Sequence, residues 1–288
     1  MNTARRLAPT AAAAALFVLA GWLAFAPAGW WPCAWLTLTG LLWLVTRVRG
    51  WRLALAAWGA GMVLYTAHLH WLRYVTIPGW FALAFYHSLY VLVLALVLGW
   101  AWRRGARLTI IPLTGVTVML LEFVQGHLMT GFGWFLLAYS QFRVPVLIQA
   151  ADLGGPYLVS GLIAACSAAL LVTLHRLLTP PQADMPRRWI TPAAITLAIP
   201  VAMVVYGLVR LQQVQTVEGP RLGCVQGNVH FGLDTLMHKD FGDRLEDLRL
   251  YLDLARRVGR MNPDIVLLPE SSVPLMEVEY AEGRPAEP

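Results

Sequence analysis

Glu270 is the residue whose position in the sequence most suggests chemistry. It follows Asp264–Leu268, a continuous apolar run typical of a strand buried in a parallel sheet. In open α/β sheets, sites form beyond the carboxyl ends of the strands. A carboxylate in that place is partly desolvated, which favours the role of a general base. Position alone leaves a second interpretation equally open, in which Glu270 caps a turn or pairs with an arginine.

The cysteines and histidines show no spacing that predicts a disulfide framework, a metal site or a bound cofactor. Cys33 and Cys166 lie in long apolar runs. Cys224 lies in a short predicted strand, where a core position is favoured over the role of a nucleophile. His68 and His70 lie at the end of an apolar run, where two interpretations stay open: polar groups at a pore or interface, or side chains at the level of the lipid headgroups.

The polar C-terminal part of the chain predicts one β-α-β unit. The run Arg221–Val229 is typical of a strand, and residues 239–260 form a helical stretch that ends before Pro263. The apolar side chains of this stretch recur three and four residues apart and therefore lie on one helix face: Phe241, Leu245, Leu248, Leu252, Ala255 and Val258. Asp264–Leu268 then forms the second strand and places Glu270 directly beyond its end.

Composition divides the chain near residue 217. Of its residues 58% are hydrophobic and 13% are charged, whereas a soluble globular chain carries about 25% charged residues. Residues 1–217 contain three of the 16 acidic residues, and residues 218–288 contain the other 13. The basic side chains of the first part are arginines in short clusters between apolar runs, which is typical of a membrane protein and not of a nucleic-acid-binding surface. We therefore predict a transmembrane helical domain followed by the start of an α/β domain.

Seven apolar runs are long enough to cross a bilayer, which needs about 20 residues per helix. They are residues 8–26, 30–46, 53–72, 80–102, 108–125, 154–175 and 190–211, of which the second is short and suited to a partly re-entrant segment. With the N-terminus inside, the inner segments hold eleven arginines and the outer segments hold three, as the positive-inside rule requires. The small residues Ala24 and Ala26 suit a signal-peptide cleavage site, but Pro27 directly after them favours an uncleaved anchor.

Three stretches of the C-terminal part resemble the opening of the nitrilase-like domain of bacterial apolipoprotein N-acyltransferases. The family has a VQGN strand, a helix that contains YLDL, and a strand that ends in W-P-E-S/T-x-x-P. The present sequence has Cys224–Asn228 (CVQGN), Tyr251–Leu254 (YLDL) and Leu268–Pro274 (LPESSVP). It departs from the family at Leu268, where Trp is usual, and at His230-Phe231, where Pro-Gln is usual.

The apolar part resembles the same family independently. Leu23–Pro27 and Gly29–Pro32 are similar to its first hairpin. A later segment is similar to the family's E-x-L-R-G, T-G-F-P-W and Y-x-Q pattern, with Gln125 in place of Arg and Gly133 in place of Pro. The matching residues are Glu122, Gly126, Thr130, Gly131, Phe132, Trp134, Tyr139 and Gln141. These motifs follow the family's order and cover nearly the whole chain.

The resemblance implies a reaction. The family transfers a fatty acyl chain from a membrane phospholipid to the α-amino group of the diacylglyceryl-cysteine of lipoproteins, through a thioester on an enzyme cysteine. Glu270 matches the general base of the family's Glu-Lys-Cys triad. The resemblance also implies substrate contacts by Trp134, Tyr139, Gln226 and Asn228. It implies no cofactor and no metal.

The family's topology implies a place in the bacterial inner membrane. The N-terminus is then cytoplasmic, and residues 218–288 are the periplasmic first part of a nitrilase-like α/β sandwich. The outer loop 126–153 is expected to border a lipid-entry cleft. Its residues Trp134, Phe135 and Tyr139 also suit plain interfacial anchors, so both interpretations stay open.

The triad's Lys and Cys lie downstream of its Glu in the family. No lysine follows Lys239 and no cysteine follows Cys224 in this sequence. We therefore expect residues 1–288 alone to be inactive. We also expect residues 221–288 to fold poorly alone or to need support from the membrane part. The alternative is a non-catalytic membrane remnant or partner protein of the family. A seven-span transporter is disfavoured because no pair of ionisable groups lies at mid-span. Nothing in the sequence predicts an oligomeric state.

Overall fold

The computed structural model describes residues 3–105, 107–178, 189–213, 216–229, 241–269, 272, 280–281 and 284–285. The chain forms two compact units. The helical unit comprises residues 1–73 and 77–214, and the C-terminal unit comprises residues 74–76 and 215–288. Most of the described residues are helical.

Eight α-helices form the described part of the helical unit. They are α1 (Thr3–Ala24), α2 (Ala34–Arg47), α3 (Trp51–His68), α4 (Ile77–Arg103), α5 (Ile110–His127), α6 (Pro145–Ile148), α7 (Ala151–Leu178) and α8 (Ile190–Gln213). Four of them, α4, α5, α7 and α8, are long and apolar enough to cross a membrane, and α1 contains a shorter apolar stretch, Ala8–Ala24. Each of the seven predicted runs falls on a helix. The chain is thus a membrane protein with four candidate spans, and the total of seven stays a prediction.

The second predicted run is short, as expected. Helix α2 has 14 residues, which rise about 21 Å at 1.5 Å per residue. The hydrocarbon core of a bilayer is about 30 Å thick. A 3-10 turn, Trp31–Cys33, precedes the helix and contains Pro32 at a position where the missing N–H is tolerated. Helix α2 alone is therefore too short to cross the hydrocarbon core.

Helix α7 is the most deeply buried of the candidate spans and packs against α2, α5 and α8. The Ser167 hydroxyl of α7 donates to the carbonyl of Trp35 in α2 at 2.6 Å, and the Thr39 hydroxyl of α2 donates to the Ser167 carbonyl at 3.0 Å. Residues 154–155 leave helical geometry just before Pro156, so the regular part of α7 begins there. The core of the helical unit therefore lies along α7, with its hydroxyl groups paired to backbone carbonyls.

The C-terminal unit contains a parallel β-α-β arrangement. β1 (Leu222–Cys224), α9 (Phe241–Gly259) and β2 (Ile265–Leu267) follow in order, and β1 pairs with β2 in parallel. The predicted helix and both predicted strands are present, although each strand is only three residues long. Two further strands of two residues each, β3 (Tyr280–Ala281) and β4 (Arg284–Pro285), pair antiparallel.

Burial in the C-terminal unit differs from the sequence prediction. Tyr251, 4% exposed, packs inward from α9, whereas Leu252, which the periodicity placed on the inner face, is 45% exposed. Ile265 and Leu267 of β2 are 46% and 47% exposed, so the prediction of a buried strand is wrong for the described residues. Because α9 covers one face of the sheet and alternate strand residues point to the other, Cys224 is also exposed. The prediction of a core cysteine is therefore wrong too.

Candidate functional site

An apolar cavity of about 100 Å³ lies inside the helical unit. Side chains of α1, α2, α3, α4 and α5 form most of its wall, and Phe135 and Leu137 of the loop after α5 complete it. Most of the wall is aliphatic or aromatic. The polar side chains on it are Thr37, Tyr65, His68, Tyr90, Glu122 and Gln125. The cavity is thus suited to an apolar group that carries a small hydrogen-bonding part.

Glu122 connects α5 to the loop that closes the cavity. Its Oε1 accepts a hydrogen bond from the backbone N–H of Leu137 at 2.8 Å. Ser160 of α7 lies beside the same carboxylate, and its Oγ accepts a bond from the backbone N–H of Ala138 at 2.8 Å. Oε2 of Glu122 is buried and has no hydrogen-bond partner among the described residues. Two side chains thus fix two consecutive amides of the loop, and one carboxylate oxygen remains as an open acceptor.

The loop turns sharply directly after α5. Met129 and Gly131 both have positive φ angles, 54° and 79°. A Cβ on Gly131 would lie 2.1 Å from the carbonyl oxygen of Gly126, so only glycine fits. The carbonyl of Gln125 accepts a bond from the Phe132 N–H at 2.9 Å, and the Gln125 amide donates to the Phe132 carbonyl at 3.2 Å. The last turns of α5 therefore set the course of the loop.

Gln141 fixes the far end of the loop. Its side chain has no exposed surface. The amide nitrogen donates to the carbonyl of Trp31 at 3.0 Å and to the hydroxyl of Ser140 at 2.8 Å. The amide oxygen accepts a bond from the indole N–H of Trp35 at 3.2 Å. These bonds hold a 3-10 helix, Leu137–Gln141, against the beginning of α2.

Trp134 and Tyr139, the two predicted substrate-contact residues of this loop, both lie on the surface. Trp134 is 61% exposed and stacks on Phe132 and on Trp71, with ring centroids 5.6 and 5.4 Å apart. Tyr139 is 44% exposed, and partial burial, with smaller contributions from Tyr157 and Glu122, raises the pKa of its phenol. Stacked aromatic rings of this kind suit the boundary between membrane and water.

Two histidines contact the loop from inside the bundle. His68 is 8% exposed and stacks on Phe135 at 4.8 Å. His87 has no exposed surface and meets the ring of Phe132 edge-on at 5.2 Å. His68 is therefore a buried residue of the bundle.

In the C-terminal unit, the remaining described candidates follow β1. The Val225 N–H donates to the Leu267 carbonyl at 2.9 Å and extends the parallel pairing. Gln226 and Asn228 come next and are both exposed, at the edge where the carboxyl ends of both strands meet. Glu270 lies outside the described residues, so its role as general base stays a prediction.

Comparison with known proteins supports the resemblance seen in the motifs. The family model of the apolipoprotein N-acyltransferase N-terminal domain matches residues 17–169, which is more than half of the chain. The chain belongs to the apolipoprotein N-acyltransferase family.

Curated members of the family are similar along most of the chain. The apolipoprotein N-acyltransferase of Azotobacter vinelandii is 35% identical over 279 residues, which is 91% of this chain and 50% of that protein. That of Vibrio cholerae is 29% identical over 273 residues, covering 90% and 50%. That of Geobacter metallireducens is 28% identical over 266 residues, covering 88% and 49%. The chain spans about half the length of the curated relatives it matches.

The region that matches the family's N-terminal domain, residues 17–169, contains the loop and its supports. Glu122, Trp134 and Tyr139 all lie within residues 17–169. Glu270 and the other C-terminal candidates lie beyond that range. Trp134 and Tyr139 thus lie on one loop, which Glu122 supports, and the C-terminal candidates belong to the other unit.

Sequence reasoning missed the polar network that supports the loop. Glu122, Gln125 and Gln141 appeared in the family pattern, but none was expected to bind the loop's backbone, and Ser160 was not considered. A signal was present, because a buried polar side chain in an apolar bundle needs a partner. The spacing did not reveal that the partners are backbone amides and carbonyls.

Proposed function

We propose that the chain is the N-terminal half of an enzyme that transfers a fatty acyl chain from a membrane phospholipid to the α-amino group of the diacylglyceryl-cysteine of lipoproteins. Membership of the apolipoprotein N-acyltransferase family supports this. The observation that carries the proposal is the loop between α5 and α6. Glu122 and Ser160 hold it by its amides, and it presents the exposed rings of Trp134 and Tyr139 while closing an apolar cavity.

The proposed topology has seven spans in the bacterial inner membrane, with the N-terminus in the cytoplasm. Each predicted run forms a helix, and the arginine bias favours this orientation. Residues 218–288 are then the periplasmic beginning of a nitrilase-like sandwich. The exposed apolar side chains of Leu222, Ile265 and Leu267 support this assignment, because a parallel sheet normally has both faces covered.

The proposed mechanism has two acyl transfers. A cysteine thiolate attacks the ester carbonyl carbon of the phospholipid, the C–O bond breaks, and the lysophospholipid leaves as an alcohol after taking up a proton. The lipoprotein amine then attacks the thioester, an amide forms, and the thiolate is released. Glu270 accepts the proton of the nucleophile in each step. The Lys and Cys of this triad have no counterpart in residues 271–288, so residues 1–288 alone are inactive.

The proposed substrate contacts follow from the two units. Trp134 and Tyr139 contact the phospholipid at the membrane boundary, where aromatic rings bind well. Gln226 and Asn228, exposed beyond β1, contact the substrates at the sheet edge with Glu270. The proposed reaction uses no cofactor, because nucleophilic attack at the acyl carbon moves the acyl chain from the ester to the enzyme thioester and then to the amide.

The test uses the protein at its full natural length in a bacterial strain depleted of its own apolipoprotein N-acyltransferase. We expect N-acylation of a reporter lipoprotein, measured by mass spectrometry of its N-terminal peptide. Glu270→Gln should abolish it, whereas Cys224→Ser, the matched control in the same unit, should retain it. Absence of N-acylation from the natural-length protein would favour a non-catalytic family member. Robust transfer by residues 1–288 alone would contradict the proposed requirement for a downstream Lys and Cys.

A further inference from the structure

Helix α9 packs on β1 and on the segment after it through two glycines. A Cβ on Gly223 would overlap Cγ1 of Val258. A Cβ on Gly227 would lie 2.6 Å from Cζ and 2.8 Å from Oη of Tyr251. Each glycine therefore leaves room for one side chain of the helix. Tyr251 and Val258 are seven residues apart and lie on one face of α9, and their order along the helix is the reverse of the order of the two glycines.

The residues after β1 face alternately toward and away from α9. Val225 is buried, and Gly227 contacts the ring of Tyr251. Gln226 and Asn228 are both exposed. This alternation is that of an extended segment. Because Tyr251 is buried, its ring lies beneath a stretch of backbone whose two neighbouring side chains face outward.

The ring of Tyr251, and not the backbone conformation, is the reason for a glycine at position 227. The backbone of Gly227 lies outside the left-handed region, which most other residues avoid. The three heavy atoms nearest to a Cβ on Gly227 all belong to Tyr251. Removal of the ring would therefore make room for an alanine at this position. The next residue, Asn228, does adopt a positive φ of 51°, which asparagine tolerates better than most residues.

The two glycines differ in how else their backbone is held. Gly223 lies within β1, where pairing with β2 fixes the backbone. The parallel pairing extends as far as Val225, whose N–H donates to the last carbonyl of β2 at 2.9 Å. Gly227 lies two residues farther along the chain, and there the contact with Tyr251 supports the backbone. Val258 thus packs on a strand that is already fixed, whereas Tyr251 packs on the segment that leaves it.

This segment carries two of the proposed substrate contacts, Gln226 and Asn228, so the inference rests on the proposed acyl transfer. We propose that Tyr251 is a positioning residue of that reaction. Its ring fixes the backbone of Gly227 and thereby directs the side chains of Gln226 and Asn228 toward the substrate at the edge of the sheet. Tyr251 itself, only 4% exposed, does not contact the substrate.

The kinetic test uses the natural-length protein in detergent and measures kcat/KM for phospholipid, with a saturating diacylglyceryl lipopeptide as acceptor. Tyr251→Leu removes the ring from Gly227 and should lower kcat/KM by about 10- to 100-fold, since a displacement of about 1 Å costs this much. Tyr251→Phe keeps the ring and should stay within about threefold of the wild type. Val258→Ala, the matched control, removes the packing on Gly223 and should also stay within about threefold.

A double substitution tests whether the ring acts through Gly227. Gly227→Ala places a methyl group against the ring and should lower kcat/KM at least about tenfold. In Tyr251→Leu the methyl group has room, so adding Gly227→Ala should cost less than about twofold more. If the two losses multiply instead, Tyr251 and Gly227 act independently, and the inference is overturned.

Hydrogen exchange gives a second measurement that does not depend on acyl transfer. Tyr251→Leu should speed exchange of the amides of residues 225–229 at least about tenfold. Tyr251→Phe and Val258→Ala should leave this exchange unchanged. If the wild type transfers no acyl chain, the proposed function fails, and the exchange rates alone decide whether Tyr251 fixes the segment.

Equal effects of Tyr251→Leu and Val258→Ala on both kcat/KM and exchange would show that Tyr251 only fills the core. If Tyr251→Leu fails to fold, Gly227→Ala takes its place in both measurements. An unaffected Gly227→Ala protein would then overturn the inference.

Discussion

Replacing Glu122 by alanine should release the loop from α5. The carboxylate accepts the N–H of Leu137 at 2.8 Å, and Leu137 is only 8% exposed. Alanine leaves this amide enclosed without an acceptor, which costs about 1–3 kcal/mol. It also enlarges the cavity, which adds about 1 kcal/mol. We expect Glu122→Ala to destabilise the closed loop by about 2–4 kcal/mol. Glu122→Gln keeps a carbonyl acceptor and should cost less than about 1 kcal/mol.

Limited trypsin digestion in detergent measures this difference. Arg143 is exposed and lies two residues after Gln141, so cleavage there reports local opening of the loop. A loss of about 2 kcal/mol raises the open population about 30-fold. Glu122→Ala should therefore be cut at Arg143 at least about 30 times faster than the wild type, and Glu122→Gln within about fivefold of it. Cleavage at Arg104, in the turn after α4, is the internal control and should not change.

Two results would refute this reasoning. If Glu122→Ala and the wild type are cut at Arg143 at the same rate, the carboxylate does not hold the loop. If Glu122→Gln is as susceptible as Glu122→Ala, charge and not the hydrogen bond to Leu137 is responsible. A parallel rise at Arg104 would indicate general unfolding of the helical unit.

Three further predictions concern the same loop. Trp134→Ala should raise the KM for phospholipid at least about fivefold with little change in kcat, because stacked rings contribute about 1 kcal/mol. Trp30→Ala, equally exposed at 61%, is its control in the same kinetic assay. Gln141→Leu should lower stability by about 2–4 kcal/mol, because it leaves the Trp35 indole N–H and the Trp31 carbonyl without this partner. Unchanged thermal unfolding would contradict that. The pKa of the Tyr139 phenol is raised in the folded protein, so the phenol ionises at a lower pH in the unfolded chain. The stability that the neutral phenol contributes is therefore present below pH 10 and decreases as the pH rises above it. Tyr139→Phe should therefore lessen the alkaline loss of stability, and an identical pH profile would contradict the shift.

The helices were predictable because the bilayer and the arginines fix their lengths and ends. The run 190–211 corresponds to α8, Ile190–Gln213, and the run 108–125 corresponds to α5, Ile110–His127. Apolar composition over about 20 residues is a strong signal, because a span must satisfy its own backbone. The presence of the β-α-β arrangement was equally accessible, since one periodic helix separates two short apolar runs.

The interior of the loop was not predictable from spacing. Gln141 bonds to Trp31 and Trp35, which lie 110 and 106 positions away in the sequence. Periodicity relates residues three or four positions apart and gives no information about contacts between residues so distant in the sequence. Similar reasons apply to α9, where Tyr251 and Leu252 are adjacent and both apolar enough for an inner position. Only packing against the sheet decides that Tyr251 is buried and Leu252 is exposed.

The hydrogen bonds of the loop indicate the role of the polar residues in the helical unit. Non-helical backbone inside a bundle of spans is stable only where its amides and carbonyls find partners in the protein. Glu122, Gln125 and Gln141 each bond to the backbone of the loop or of the turn before α2. A transporter would instead need Glu122 as a titrating group that exchanges partners during transport. The two roles predict opposite results for Glu122→Gln, because the amide keeps an acceptor for the Leu137 N–H but cannot carry a proton. Lipoprotein N-acylation that survives in the natural-length Glu122→Gln protein assigns the residue to the architecture of the loop, whereas ion-coupled uptake that disappears in this variant assigns it to transport.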